Sequence, residues 1–260
     1  MGASAACHDD VYLTSARLWG NPSHLDYVAS ALREKHGDDV YILVAKRNSG
    51  HFTYDGIELG GERLAHEVEE TLATLTDEGY RIRRLSVVGY SLGGLVARYA
   101  IGLLDARGWF DKLEPVNFTT FATPHVGVRT PMSGLRGRVW NALAPRTLSV
   151  SGRQLFLIDS FRGTGKPLLS VLADPGSIFV QALARFRHRC AYANIVNDRS
   201  AVFYTTFISA ADPFRKMDNI IPNYLQGYEP VVLDPDVHFQ PSERKQSEAP
   251  IPLGPRIWRW

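Results

Sequence analysis

The sequence predicts an α/β fold, a mostly parallel sheet flanked by helices. Three observations predict it. Short apolar runs alternate with segments whose apolar residues recur every three or four positions. The turn Gly89-Tyr90-Ser91-Leu92-Gly93-Gly94 joins one such run to one such segment. With 260 residues, 45% hydrophobic and 22% charged, the chain can bury the core of one large domain.

The elements follow in order. Asp10 to Ala16 is a short strand. Pro22 and Ser23 open an amphipathic helix to Lys35, with Leu25, Val28, Ala29 and Leu32 on one face. His36 to Asp39 is a stop, and Val40 to Val44 a second strand. Ala45 to Gly61 is polar and glycine-rich and reads as a loop. A helix is expected from Glu62 to Glu78, carried by Leu64, Val68, Leu72 and Leu75. Leu85 to Tyr90 is the third strand, Leu92 to Asp105 a helix, and Val116 to Ala122 the fourth strand. Such an alternation calls for right-handed crossovers and a parallel sheet.

The rhythm then breaks. Thr123 to Pro167 carries Gly, Pro and Arg between short apolar stretches. Helices are expected at Leu168 to Ala173 and Ser177 to Phe186, and a strand at Ala191 to Val196. Residues 124–188 thus read as a cap or lid insertion in a single domain spanning 1–240, with 241–260 an irregular, proline-rich tail. Leu135, Val139, Trp140, Leu143 and Leu148 either line that lid or belong to the core.

Net charge is only +2, which gives no argument for nucleic acid. Its distribution is uneven. Arg129 to Arg189 holds ten basic residues against Asp159 and Asp174, a net of +8, while the remainder is net negative. That excess is either a solvated arginine-rich surface or a field for an anionic headgroup or membrane face. Two cysteines make no disulfide framework and point to a reducing compartment. The N-terminus lacks a long apolar stretch, so neither a signal peptide nor a spanning helix is expected. Position six is not the Ser or Thr that myristoylation wants.

Gly89 to Gly93 fits G-x-S-x-G in the context that gives the pattern meaning, a hydrophobic strand before it and an apolar helix after it. The sharp turn demands small flanking residues and lifts the Ser91 hydroxyl above the sheet, at the helix N-terminus. The Leu92 N–H would then face a developing oxyanion. The alternative is a glycine turn that only packs a helix closely onto the sheet.

A serine nucleophile needs a base, and the base needs an acid to orient it. In the α/β-hydrolase order the acid follows the serine and the histidine comes last. Asp198, 107 residues after Ser91 and just beyond a strand, suits the acid, with Asp212, Asp218 and Asp159 as competitors. Only His238 lies beyond Asp198, between Pro235 and Pro241. His24 and His125 lie near the expected site but break the order. The other five histidines read as surface or packing residues. No spacing resembles a metal site, and no cofactor is implied.

These residues carry a family resemblance. Leu18 to Leu25, Thr53 to Ile57, Gly60 to Arg63, Gly89 to Gly94, Thr123-Pro124-His125 and Tyr192 to Arg199 together resemble the DUF676 serine esterases, particularly their fungal lipid-droplet phospholipase and lipase-like branch. The resemblance runs from about Val11 to Asp234. It implies hydrolysis of lipid carboxylic esters through an acyl-enzyme on Ser91, with Asp198 as acid and the Leu92 and Leu18 N–H groups as oxyanion hole. It implies a lipid or acyl-ester substrate, and a cytoplasmic protein held peripherally on lipid droplets or membranes. Ala16 and Arg17 stand where the family carries His-Gly. The family's catalytic histidine comes after a further strand, so the chain reads as C-terminally truncated, whether as an isoform, a fragmentary gene model or a degenerate paralogue. An impaired paralogue that binds lipid or a partner protein, and a soluble acyl esterase or thioesterase, are the alternatives.

Overall fold

The computed structural model describes residues 10–15, 25–128, 149–195, 198, 201–210, 212, 224–225 and 228–232. The chain divides into two compact units, Met1–Pro213 and Phe214–Trp260. The boundary expected at 240 and the tail beyond it lie outside the described residues.

The first unit is built on five strands: β1 (Asp10–Ser15), β2 (Val40–Val44), β3 (Arg84–Tyr90), β4 (Glu114–Phe121) and β5 (His188–Tyr192). Their order is β2-β1-β3-β4-β5, and every neighbouring pair is parallel. The expected fold class is the observed one. From β1 the chain steps outward to β2, then returns to the other side of β1 for β3, β4 and β5. The order therefore reverses between β1 and β3. In open parallel sheets the crevice outside that reversal, at the carboxyl ends of the strands, is where ligands bind.

α1 (Asp26–His36) connects β1 to β2, and α2 (Ile57–Asp77) connects β2 to β3. α3 (Leu92–Ala106) leaves β3 at Ser91. Three short helices, α4 (Val150–Leu155), α5 (Leu168–Leu172) and α6 (Ile178–Arg185), lie between β4 and β5, and α7 (Phe203–Thr206) follows β5. Nearly all of α3 from Leu92 to Gly102 is buried, since α2 covers one flank and α6 the other. Glycines set both distances. A Cβ on Gly61 would stand 2.5 Å from Cδ1 of Tyr99, and one on Gly102 would strike the ring of Phe179. Tyr99 and Phe179 then pack at a tilt of 34°, with ring centroids 4.8 Å apart.

Three local differences from the sequence expectation have physical reasons. α2 begins at Ile57, not Glu62. Gly60 and Gly61 lie inside the helix because they are needed where α3 crosses, so a glycine pair that looks like a loop is a packing surface. β5 begins at His188, three residues early, and ends at Tyr192. Its pairing with β4 starts at Asn117↔His188, and four of its five residues are exposed, so no apolar run marks it. Finally, Leu155, Leu168, Leu169, Leu172, Phe179, Ala182, Leu183 and Phe186 all enter the main core. These residues of the segment 155–186 are therefore part of the main core. Of the expected cap or lid at 124–188, residues 129–148 lie outside the described residues, with Leu135, Val139, Trp140, Leu143 and Leu148 among them.

The basic excess is partly neutralised by acids of the preceding elements. Arg162 pairs with Glu58 and Glu62, Arg185 with Asp105 and Asp111, and Arg187 with Glu114. These pairs are solvent-exposed and each contributes well under about 1 kcal/mol. In the second unit the described residues form one antiparallel hairpin, β6 (Tyr224–Leu225) with β7 (Tyr228–Val232), where no strand is expected from the residue pattern.

Candidate functional site

Ser91 sits at the carboxyl end of β3, beside the reversal in strand order. β1 ends there too, with Ser15 opposite Gly89. The backbone of Ser91 is at φ 53°, ψ −126°, a region that side-chain-bearing residues rarely adopt. It is held there from both sides. Its N–H donates to the carbonyl of Phe121 on β4 at 2.8 Å, and its own carbonyl accepts from Gly94 at 3.1 Å. The turn is tight enough that a Cβ on Gly89 would lie 2.5 Å from Cα of Gly94. A Cβ on Gly94 would lie 2.7 Å from Cγ2 of Thr123. The crowded glycines are thus Gly89 and Gly94. Leu92 is the first residue of a 15-residue helix, and the helical ladder leaves its N–H without an internal partner. Donor, helix dipole and strained serine converge on one point above the sheet.

Residues 16–212 match the family model described as "Putative serine esterase (DUF676)". The chain belongs to this DUF676 serine esterase family. It is similar to "Putative lipase C4A8.10" of Schizosaccharomyces pombe, 28% identical over 217 residues, covering 78% of this chain and 27% of that protein. It is similar to "Putative lipase ROG1" of Saccharomyces cerevisiae, 35% identical over 162 residues, covering 62% and 22%. The chain therefore spans about a quarter of the length of these relatives. Among solved structures, a mutant of the rice cell wall degrading esterase LipA from Xanthomonas oryzae is 12% identical with a TM-score of 0.39, covering 78% of this chain and 69% of that one.

Thr53 to Ile57 precedes α2 and is clasped by α4. The Ser151 hydroxyl accepts from the Gly56 N–H at 3.0 Å and donates to the Thr53 carbonyl at 2.6 Å. The side-chain oxygen of Gln154 accepts from the Ile57 N–H at 2.6 Å. Two N–H groups at the start of α2 are thereby satisfied from another element, because Gly56 has no side chain to cap with. Arg63 reaches back to Asp55 at 2.5 Å. Ser151 and Gln154 gave no sequence signal, since α4 is only six residues long.

Asp198 lies in the loop after β5, six residues past its end, at the same edge of the sheet as Ser91. The expectation put it directly after the strand. The loop is longer because β5 ends early. Its Oδ2 accepts from the Asn194 amide at 3.0 Å and its Oδ1 from the Ala201 N–H at 2.8 Å. The Ala201 bond ties the carboxylate to the residues that lead into α7. Of its competitors, Asp159 accepts from the Leu168 N–H at 2.9 Å and so caps α5. Asp212 is half-buried, and Asp218 lies outside the described residues.

The described histidines can be placed one by one. His36 and His188 sit at the opposite, amino-terminal edge, ending α1 and opening β5. His66 pairs with Glu70 on the outside of α2. His51 follows the outer strand β2 and stacks on Tyr54. His125, after β4, is buried, and both ring nitrogens are engaged. Nδ1 faces Nη1 of Arg98 at 3.4 Å, and Nε2 faces the Thr120 hydroxyl at 2.9 Å. Arginine only donates, so Nδ1 accepts, and the proton on Nε2 donates to Thr120. Burial, reinforced by the Arg98 charge, holds this ring well below the usual histidine range. His125 is a neutral, locked residue with no lone pair to offer a serine. His238, His24 and Leu18 lie outside the described residues, as do Ala16 and Arg17.

Among the described residues, no group of three His, Cys, Asp or Glu could hold a metal ion. No described helix is long and apolar enough to cross a membrane.

Proposed function

We propose that this chain hydrolyses carboxylic esters of lipids through an acyl-enzyme on Ser91. The observation that carries the reading is the strained serine at the β3–α3 turn, fixed at the mouth of a buried helix. Ser91 Oγ attacks the ester carbonyl, and the alkoxide oxygen that forms is met by the Leu92 N–H, with Leu18 the second donor. His238 is the proposed base. It takes the serine proton and returns it to the leaving alcohol, while Asp198 holds the imidazole in the required tautomer. Water then releases the acid from the serine by the reverse steps. The acceptors on Asp198 are already directed by Asn194 and Ala201, which suits a carboxylate held in place before the histidine arrives. The names of its relatives favour lipid as substrate, and peripheral attachment to a lipid-droplet or membrane surface belongs to the same proposal.

Hydrolysis of phospholipid vesicles, emulsified triacylglycerol and soluble short-chain esters by the wild-type protein and by Ser91→Ala, Asp198→Asn and His238→Ala tests this. The reading expects lipid hydrolysis that all three variants abolish. Activity confined to soluble esters would replace the lipid assignment, and activity surviving in Ser91→Ala would refute the nucleophile.

A further inference from the structure

Arg98 is only 6% exposed, inside the apolar stretch of α3, seven residues beyond Ser91. Its guanidinium donates to the Leu172 carbonyl at 2.7 Å and the His125 carbonyl at 3.3 Å, and it faces His125 Nδ1 at 3.4 Å. None of these partners carries a negative charge. Among the described residues no acid pairs with it, so this buried cation is held by backbone carbonyls and a neutral ring and not by a counter-ion. What its bonds do is fix the segment Ala122–Gly127 relative to α3.

That segment touches both halves of the candidate site. On one side, Thr123 packs against Gly94, and Phe121 just before it accepts from the Ser91 N–H. On the other side, it is clamped to α7. The His125 N–H donates to the Thr205 carbonyl at 3.0 Å, the Val126 N–H to the Thr205 hydroxyl at 3.2 Å, and that hydroxyl to the Gly127 carbonyl at 2.6 Å. The chain entering α7 holds Asp198 through the Ala201 N–H. Ala122 is itself at φ 47°, a strained position that persists only where its surroundings over-determine it.

We propose that Arg98 and His125 form a positioning unit that sets the turn after β4, and through it the distance between the Ser91 elbow and the Asp198 loop. The proposal rests on the serine-hydrolase reading for its consequence in catalysis. Its structural half, the coupling of α3 to the Asp198 loop, stands apart from that reading. Burial lowers the Arg98 guanidinium to about 10, so it stays charged at neutral pH and keeps its donors.

The test uses the whole chain, with Arg98→Met, Arg98→Lys and Thr205→Val. Thr205→Val cuts the clamp from the other side. The first readout is amide hydrogen exchange. Arg98→Met and Thr205→Val are each expected to raise exchange at least tenfold in both 122–127 and 201–206, with β3 unchanged. Exchange that rises beside Arg98 but not in 201–206 would overturn the coupling. The second readout is hydrolysis of a short-chain p-nitrophenyl ester. Arg98→Met is expected to lower kcat at least tenfold with KM within twofold and with melting temperature retained, and Arg98→Lys to recover part of the loss. A folded Arg98→Met with wild-type kcat would overturn the catalytic consequence. If Arg98→Met fails to fold, Thr205→Val carries both readouts with the same criteria. If the wild-type protein hydrolyses no ester, the serine-hydrolase reading fails, and the exchange result alone decides the coupling.

Discussion

Adding one methyl group at Gly89 or Gly94 should damage the elbow in two distinguishable ways. In Gly89→Ala the new Cβ meets Gly94 Cα at 2.5 Å and Gly94 N at 2.8 Å, both backbone atoms. Carbon atoms pack at about 3.5–4.0 Å, so β3 and α3 must part by about 1 Å at the point where Ser91 is held. In Gly94→Ala the Cβ meets a side chain, with Cγ2 of Thr123 at 2.7 Å and its Cβ at 2.9 Å. Overpacking of this kind costs about 1–3 kcal/mol, or about 2–12 °C in melting temperature for a unit of this size. A displacement of about 1 Å at a reacting group costs about a hundredfold in rate. Thermal unfolding and the rate of covalent labelling by a fluorophosphonate read these two effects. Both variants should lose stability and label at least tenfold more slowly. Thr123→Ala should partly rescue Gly94→Ala, because it removes the Oγ1 and Cγ2 atoms that the new methyl meets. It should not rescue Gly89→Ala, whose neighbour cannot be trimmed. Two variants that melt and label like the wild type, or a rescue of Gly89→Ala by Thr123→Ala, would refute the steric account of the turn.

The clasp on α2 predicts that Gln154→Leu, which leaves the buried Ile57 N–H unpaired, costs about 1–3 kcal/mol in urea unfolding, while Gln154→Glu costs less because it keeps the acceptor. His125 makes the fold acid-sensitive. Its folded-state affinity for a proton is depressed, so below the unfolded value of about 6.5 the unfolded chain binds a proton that the folded chain does not. Its share of stability is intact above about pH 6.5 and falls toward acid. Urea unfolding at pH 7 and pH 5 should therefore show a shallower loss in His125→Gln than in the wild type. Equal slopes would mean that the ring is protonated in the folded protein. Arg98→Met should move the melting temperature by no more than about 10 °C, since the donors lost to the Leu172 and His125 carbonyls are offset by removal of a buried cation whose described partners are all uncharged. A fall of more than about 10 °C would show that the arginine stabilises the fold, contrary to its proposed role.

β1 to β4 and α3 are legible in the sequence because each is a contiguous apolar run whose length or period announces it. The Ser91 elbow is legible because its chemistry is local, with strand, glycines, serine and helix contiguous in the chain. What escapes is whatever depends on a distant partner. The Gly60–Gly61 pair reads as a loop until Tyr99 of α3 lies across it. α4 is too short to show a period, and its work is done by Ser151 and Gln154 on the backbone of residues nearly a hundred positions away. β5 pairs through its backbone while exposing its side chains, so its register follows from β4 and not from its own residues. Arg98 was visible in principle. A helix that is apolar on every face must be buried, and a single arginine within it must then find acceptors. The partner it found, His125, is the histidine that sequence order had already set aside as the base.

Fluorophosphonate labelling of the intact chain, followed by mass mapping of the modified peptide, tests the central claim most directly. One adduct on the peptide containing Ser91, absent from Ser91→Ala and slowed in Asp198→Asn, is the predicted result. A folded wild-type chain that takes up no label, or one whose label persists in Ser91→Ala, would contradict it.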